Sequence, residues 1–198
     1  MDTLKPFDEI CCPDSRQKLF VFCNRETGEI RERNLRDHYL EINDIVLNES
    51  VPENIREHFE TARNLVLYSW YVYRFGLVAE LHATASVEFA LKVKSGDDKG
   101  GLKRLMNLAI NKGWIFDSDF QYYPIIKKRL AEYSQADSYR PNATNNPDPE
   151  DLQAYCKILA DSLPFFRNEL AHGSHMLYPT GTETLAICAD IINQLFSS

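Results

Sequence analysis

The sequence predicts a mainly α-helical fold with a small N-terminal β-hairpin. Three observations lead there. Apolar residues recur at helical spacing through most of the chain after residue 50. Helix start and stop signals punctuate that region, with acids and prolines at the starts and glycines at the ends. One run of strand length, Lys18-Leu19-Phe20-Val21-Phe22-Cys23, stands near the N-terminus instead.

The hairpin is read from three neighbouring pieces. Residues 18–23 supply the first strand, Asn24-Arg25-Glu26-Thr27-Gly28 is polar and turn-like, and Glu29 to Arg33 returns as the second strand. Leu35 to Leu47 fits neither the helical nor the strand period cleanly. Ser50 or Val51, followed by Pro52 and Glu53, marks a helix start, because proline is tolerated in the first turn and acids suit the N-terminal dipole. Helical composition then continues to Lys94, with Gly76 bending or dividing it and Ser95-Gly96 closing it. Leu77, Leu81, Thr84, Glu88 and Leu91 fall at 4-3-4-3 spacing and predict one stripe.

Further on, Asp97 or Asp98 is expected to cap a helix over about 100–112. Its core stripe would be Leu102, Leu105, Met106 and Ala109, and Gly113 would stop it. Pro124 through Tyr133 predicts another helix, and 136–149, with three prolines, a loop. Asp148-Pro149-Glu150-Asp151 opens a helix through Tyr155, Ile158, Leu159 and Leu163, which Pro164 should kink or restart. That helix ends at His172-Gly173. The last one begins near Thr180, with Glu183 completing a capping box, and runs to Phe196.

At 198 residues the chain suits one helical domain over 51–198 with an N-terminal extension over 1–50. Hydrophobic residues at 44% support a sizeable core and argue against global disorder. The net charge of −7 counts against a binder of long nucleic acid, since phosphate contacts need a basic surplus. Any RNA contact must be local, transient or shared between subunits. Five cysteines at irregular spacing do not suggest a disulfide framework. The polar opening Met1-Asp2-Thr3-Leu4-Lys5-Pro6 leads us to expect no secretory signal, and the apolar stretch Leu65 to Leu81 is broken by Ser69, Arg74, Gly76 and Glu80. The expectation is a cytoplasmic protein with free thiols and no membrane contact.

Arg167-Asn168-Glu169-Leu170-Ala171-His172-Gly173 is the most informative stretch. On a helix Asn168 and His172 share a face, and Arg167 lies about 100° round from Asn168. A guanidinium, an amide and an imidazole thus converge near a helix end. RNA cleavage needs little more. A base takes the ribose 2′-hydroxyl proton, a cation holds the charge growing on the phosphate, and an acid protonates the departing oxygen. Histidine can be base or acid near neutrality, and arginine pairs with phosphate in a planar fork. The plainer alternative is that these are cations suited to a helix C-terminus, with His172 capping the last carbonyls.

Arg-Asn, three residues, then His resembles the signature of the HEPN (higher eukaryotes and prokaryotes nucleotide-binding) family: Arg, a polar residue that is often Asn, and a His a few positions on. The helical segment Glu80 to Lys94, which holds Glu-Leu-His-Ala-Thr-Ala-Ser-Val-Glu-Phe-Ala-Leu-Lys, looks like an earlier core helix of that family. The resemblance spans roughly 52–197 and leaves 1–50 uncovered. It implies an antiparallel bundle of four to five helices. It also implies a homodimer in which two such motifs share one cleft, forming a ribonuclease site without metal or other cofactor. Arg167, Asn168 and His172 would be catalytic: His172 as general acid/base, Arg167 as phosphate stabiliser, Asn168 as positioning group. Such an enzyme would cut single-stranded RNA as a toxin or phage-defence nuclease, under a protein antitoxin or other regulatory partner. Other members are non-catalytic modules that bind RNA, nucleotides or proteins. One toxin branch carries a tyrosine two residues after the histidine, where this chain has Ser174.

Glu88 enters on physical grounds. Its place in the 77–91 stripe turns it inward, and an enclosed carboxylate needs a partner, for which Arg167 is the candidate. The alternative puts Glu88 at the wet edge of the stripe.

Other signals carry less. Cys11, Cys12 and Cys23 lack paired Cys-x-x-Cys spacing, with His38 the one nearby fourth ligand, so zinc is not expected. His172 and His175 are three apart but have no third ligand at helical spacing. His58 and His82 read as isolated. Gly96 to Gly101 has the glycines of a phosphate loop, but Leu102 stands where the lysine belongs. Lys127-Lys128-Arg129 reads as a solvated face that could steer phosphate. No nucleophile elbow supports a Ser-His-Asp hydrolase.

Overall fold

A computed structural model describes residues 3–24, 26–125, 127, 128, 132, 153–173 and 181–197. The fold is mainly helical, with one antiparallel hairpin near the N-terminus. Strands β1 (Val21–Cys23) and β2 (Ile30–Glu32) pair Val21 with Glu32, Phe22 with Arg31 and Cys23 with Ile30. The helices that follow include α1 (Leu35–Asn43), α2 (Glu53–Tyr68), α3 (Phe75–Ser95), α4 (Leu102–Asn111), α5 (Ala154–Ala171) and α6 (Gly181–Phe196). No helix among the described residues is long and apolar enough to cross a membrane.

The first strand is shorter than its apolar run predicts, because Ser15–Leu19 winds into a 3₁₀ turn and only Val21–Cys23 pairs. The ambiguous stretch after the hairpin becomes α1. Its apolar period is poor because only Asp37, His38 and Ile42 are buried, but its start is well specified. Asn34 Oδ1 accepts the Asp37 N–H at 3.1 Å, and Asp37 Oδ2 accepts the Asn34 N–H at 2.9 Å. This reciprocal capping box satisfies two donors that a helix start leaves unpaired.

The N-terminal segment completes the end of α2. A helix C-terminus leaves carbonyls without intrahelical partners. Val66 O accepts from His38 Nε2 at 2.9 Å, Ser69 O accepts from Gln17 Nε2 at 3.2 Å, and Trp70 O accepts the Asp14 N–H at 2.9 Å. Because a carbonyl only accepts, Nε2 of His38 carries the proton, and Nδ1 accepts from Arg33 Nη2 at 2.9 Å. Burial and the Arg33 charge push His38 below its ordinary value, which suits this neutral tautomer. Two carboxylates hold the segment. The Arg31 fork grips Asp37 at 2.6 and 2.7 Å and, with the Asn34 N–H, holds its pKa at about 2 against some desolvation. Burial opposes ionisation of Asp14, but Arg16 and the Tyr73 N–H outweigh it and bring Asp14 to about 2. Both pKa values lie below the unfolded carboxylate value of 3.8, so their stabilisation is full above that pH. It is lost as pH falls from about 4 to about 2. Trp70 lies beside His38, so its fluorescence should report loosening of this segment in that window. An unchanged signal down to pH 2 would refute the assignment.

α3 is the centre of the bundle. It packs against α2, α4, α5 and α6. Its predicted stripe holds only in part: Thr84 and Leu91 are buried, but Leu77 and Leu81 are half-buried, and Ala79, Ala83, Val87 and Ala90, off that stripe, are fully enclosed. A helix wrapped by four others has no single inward face, and its small residues let neighbouring backbones approach. α2 presents Ile55, Phe59, Ala62 and Val66 to it at 4-3-4 spacing. α6 contributes Leu185, Cys188, Ile191, Ile192 and Leu195. α4 buries the predicted Leu102, Leu105, Met106 and Ala109, with Ile110 added.

Two smaller expectations change. The cap of α4 is Gly101 rather than Asp97 or Asp98, and it makes no side-chain cap bond. Asp97 pairs with Arg104 instead. Leu105 folds back over Gly100, where an added Cβ would stand 2.6 Å from its Cδ2, so a larger residue there would have to displace the buried Leu105 side chain. Pro164 does not restart α5, which is helical from Ala154 to Ala171. The lost Pro164 N–H bond is outweighed by burial of Leu159, Ala160 and Leu163 around it. Of the helix expected over 124–133, residues 124, 125, 127, 128 and 132 are helical, as is the neighbouring Tyr123, and the rest lies outside the described residues. So do the 136–149 loop, the Asp148-Pro149-Glu150-Asp151 start and Thr180.

Candidate functional site

The site is built on the C-terminal end of α5, and its geometry depends on how the other end of that helix is anchored. The buried Asp117 sits in a 3₁₀ turn distant in sequence. Its two carboxylate oxygens accept the N–H groups of Tyr155 and Cys156 at 2.8 Å each. Two first-turn donors of α5 are thereby satisfied by a charge well placed for the helix dipole. Gln153 Nε2 adds a bond to Ile110 O at 3.2 Å. The helix is thus fixed to α4 and its neighbouring turn before it delivers its last residues.

At the other end, Arg167 reaches α3. Its Nη2 donates to Glu88 Oε2 at 3.2 Å, and its Nη1 donates to Asn168 Oδ1 at 3.2 Å. The side chain of Glu88 is 14% exposed and that of Arg167 is 40% exposed, so the carboxylate is the inner partner and the guanidinium the outer one. Glu88 therefore lies at the inner margin of the site, neither sealed in the core nor loose in solvent. Its second oxygen, Oε1, receives Lys92 Nζ at 2.8 Å, one helical turn along α3. Spacing alone could have flagged Lys92, since a glutamate four residues before a lysine is a favoured helical pair.

Asn168 and His172 are both exposed on α5. The His172 N–H closes the helix on Asn168 O at 2.9 Å. His172 is the C-cap, and Gly173 at φ +90° turns the chain out of the helix immediately afterwards. A residue with a Cβ is strained at that angle, so the glycine frees the chain beyond the imidazole. The structure thus brings Arg167, Asn168 and Glu88 into one hydrogen-bonded group, with His172 one turn from Asn168. Ser174 and His175 lie outside the described residues.

Other candidates resolve differently. His58 and His82 are not isolated: their rings stack with centroids 4.1 Å apart and an 11° interplanar angle. His58 Nδ1 meets Ser86 Oγ at 2.8 Å, and His82 Nε2 donates to His58 O at 3.0 Å. Burial and the facing His82 push His58 below its ordinary value, which favours a neutral His58 ring in this stack. They lie on different helices, so no sequence period could show the contact. Cys11, Cys12 and Cys23 are exposed and free, whereas Cys156 and Cys188 are buried. Burial pushes the Cys188 thiol up to about 12 and raises Cys156 strongly, with Asp117 adding to the latter, so neither is a thiolate nucleophile. Among the described residues no three His, Cys, Asp or Glu side chains gather as a metal site. Lys127 and Lys128 are exposed, the first over the Tyr123 ring at 5.9 Å and the second 4.0 Å from Glu132.

Chemically the group offers an oriented guanidinium with free donor edges, an amide beside it, and an exposed imidazole at a helix end. These can bind an oxyanion and exchange a proton with it. No family model matches this chain, and no match is found among characterised proteins or among solved structures.

Proposed function

We propose that this chain is a metal-independent endoribonuclease of the HEPN type, acting on single-stranded RNA. Its site would be completed by a second copy of the chain. The observation that carries the reading is the Glu88–Arg167 bond, which holds a guanidinium beside Asn168 and one turn from His172. A neutral His172 takes the proton from a ribose 2′-hydroxyl as that oxygen attacks the adjacent phosphorus. Arg167 holds the charge gathering on the non-bridging oxygens. The bond from phosphorus to the 5′-oxygen breaks, and His172 of the second copy, in its protonated form, donates to the leaving oxygen. The products are a 2′,3′-cyclic phosphate and a free 5′-hydroxyl. The reading places both copies in the cytoplasm, with a toxin or defence role and a protein regulator.

The net charge of −7 favours a second reading, a non-catalytic module that binds RNA, a nucleotide or a protein through the same group. Cleavage of labelled single-stranded RNA in excess chelator separates the two. The parent should cut and leave cyclic phosphate ends, and His172→Ala and Arg167→Ala should each lose about 10²–10⁴-fold in rate with folding intact. A parent that binds RNA without cutting it would favour the module. Cutting that survives both substitutions would sink the mechanism.

A further inference from the structure

We infer that Lys92 is a second phosphate-binding cation of this site, so that the Arg167–Glu88–Lys92 cluster receives the phosphodiester of the RNA as one unit. This deepens the ribonuclease reading and rests on it for the identity of the ligand. An arginine paired to a glutamate is well oriented but electrically spent, because the pair carries no net charge. Lys92 changes that balance. Each Glu88 oxygen takes one cation, Lys92 Nζ on Oε1 at 2.8 Å and Arg167 Nη2 on Oε2 at 3.2 Å. Two cations on one carboxylate leave a net charge of +1, which one phosphodiester neutralises. The order of exposure is also right. The shared carboxylate is 14% exposed, against 29% for Lys92 and 40% for Arg167, so the anion sits behind and the cations face outward. An ammonium keeps two further donors after one goes to Glu88, and the guanidinium keeps its unpaired N–H groups. For a chain with net charge −7, a local positive group fixed by its own counter-ion supplies attraction that the protein as a whole does not.

A purely structural role makes a different forecast. Lys92 stands in the last turn of α3, where a cation complements the dipole and the Glu88 pair adds a few tenths of a kcal/mol. On that account its loss lowers stability slightly and leaves RNA alone.

The test uses the full chain and a fluorescein-labelled single-stranded RNA whose 2′-hydroxyls are all methylated, so that it binds without being cut. Anisotropy is followed from low to moderate salt for the parent, Lys92→Ala, Lys92→Gln and Lys92→Arg, with thermal melts as the folding control. Loss of one phosphate contact should weaken binding roughly fivefold at low salt and reduce the slope of log affinity against log salt by about 0.7, with Lys92→Arg restoring both. Unchanged affinity and slope in folded Lys92→Ala and Lys92→Gln would overturn the inference, as would a parent that does not bind this RNA. Cleavage of unmodified RNA is read separately. A salt slope that drops in a protein that never cuts supports Lys92 and defeats the nuclease. A cutting enzyme whose slope ignores Lys92 does the reverse.

Discussion

Alanine at Asp117 should lower the unfolding free energy by about 2–4 kcal/mol, the largest single loss expected outside the apolar core. The carboxylate accepts from the Tyr155 and Cys156 N–H groups at 2.8 Å each, and all three residues are buried. Removing it strands two donors where water has little room, so the cost exceeds that of an exposed cap. Asparagine should recover part of the loss, because one oxygen can still accept while the charge is gone. Urea denaturation of the parent and both variants reads this directly. A loss under about 0.5 kcal/mol for Asp117→Ala would mean that the start of α5 is held by other contacts. The effect should also reach the site, since a frayed α5 delivers Arg167 less accurately.

On the proposed ribonuclease function, alanine at Glu88 should lower the cleavage rate constant about 10²-fold while RNA binding stays the same or tightens. The two directions part because the carboxylate does two things. It aims the Arg167 guanidinium, and a misplacement near 1 Å is enough for a loss of that size. It also cancels one of the two positive charges around it, so its removal raises the local charge from +1 to +2 and should attract phosphate more strongly. Glu88→Gln should fall between, keeping the shape and losing the charge. Single-turnover kinetics and anisotropy on the same preparations separate the terms. Binding and cleavage that fall together would make Glu88 a support for the fold alone, and an unchanged rate would remove it from the site.

Much of this arrangement can be read along the chain because it depends on neighbours in sequence. The 4-3 spacing in α2 and the Leu102, Leu105, Met106, Ala109 stripe of α4 are local periodicities, and both faces are buried. The Gly96 and Gly173 stops are local too, and both glycines have positive φ. The hairpin follows from its apolar run and turn residues, although the 3₁₀ turn at Ser15–Leu19 takes the beginning of that run. α1 was illegible by period because Ile42 is its one buried apolar side chain, yet its Asn34–Asp37 box was present in the letters. The Arg167–Glu88 contact was reachable by argument, since an inward carboxylate must find a cation and the motif supplied one.

What the sequence determined by itself is therefore the helical class, the positions of most helices, the hairpin, and the grouping of Arg167, Asn168 and His172 at one helix end. Helix periodicity and capping act over a few residues, and those distances are visible in a string. Only the tertiary structure decided which face of α3 is core, that Asp117 holds the start of α5, that His58 stacks on His82, and that Glu88 carries Lys92 as well as Arg167. Each of these depends on how separate helices are rotated and placed against one another. That rotation is set by the packing of all their side chains at once, and no local spacing encodes it.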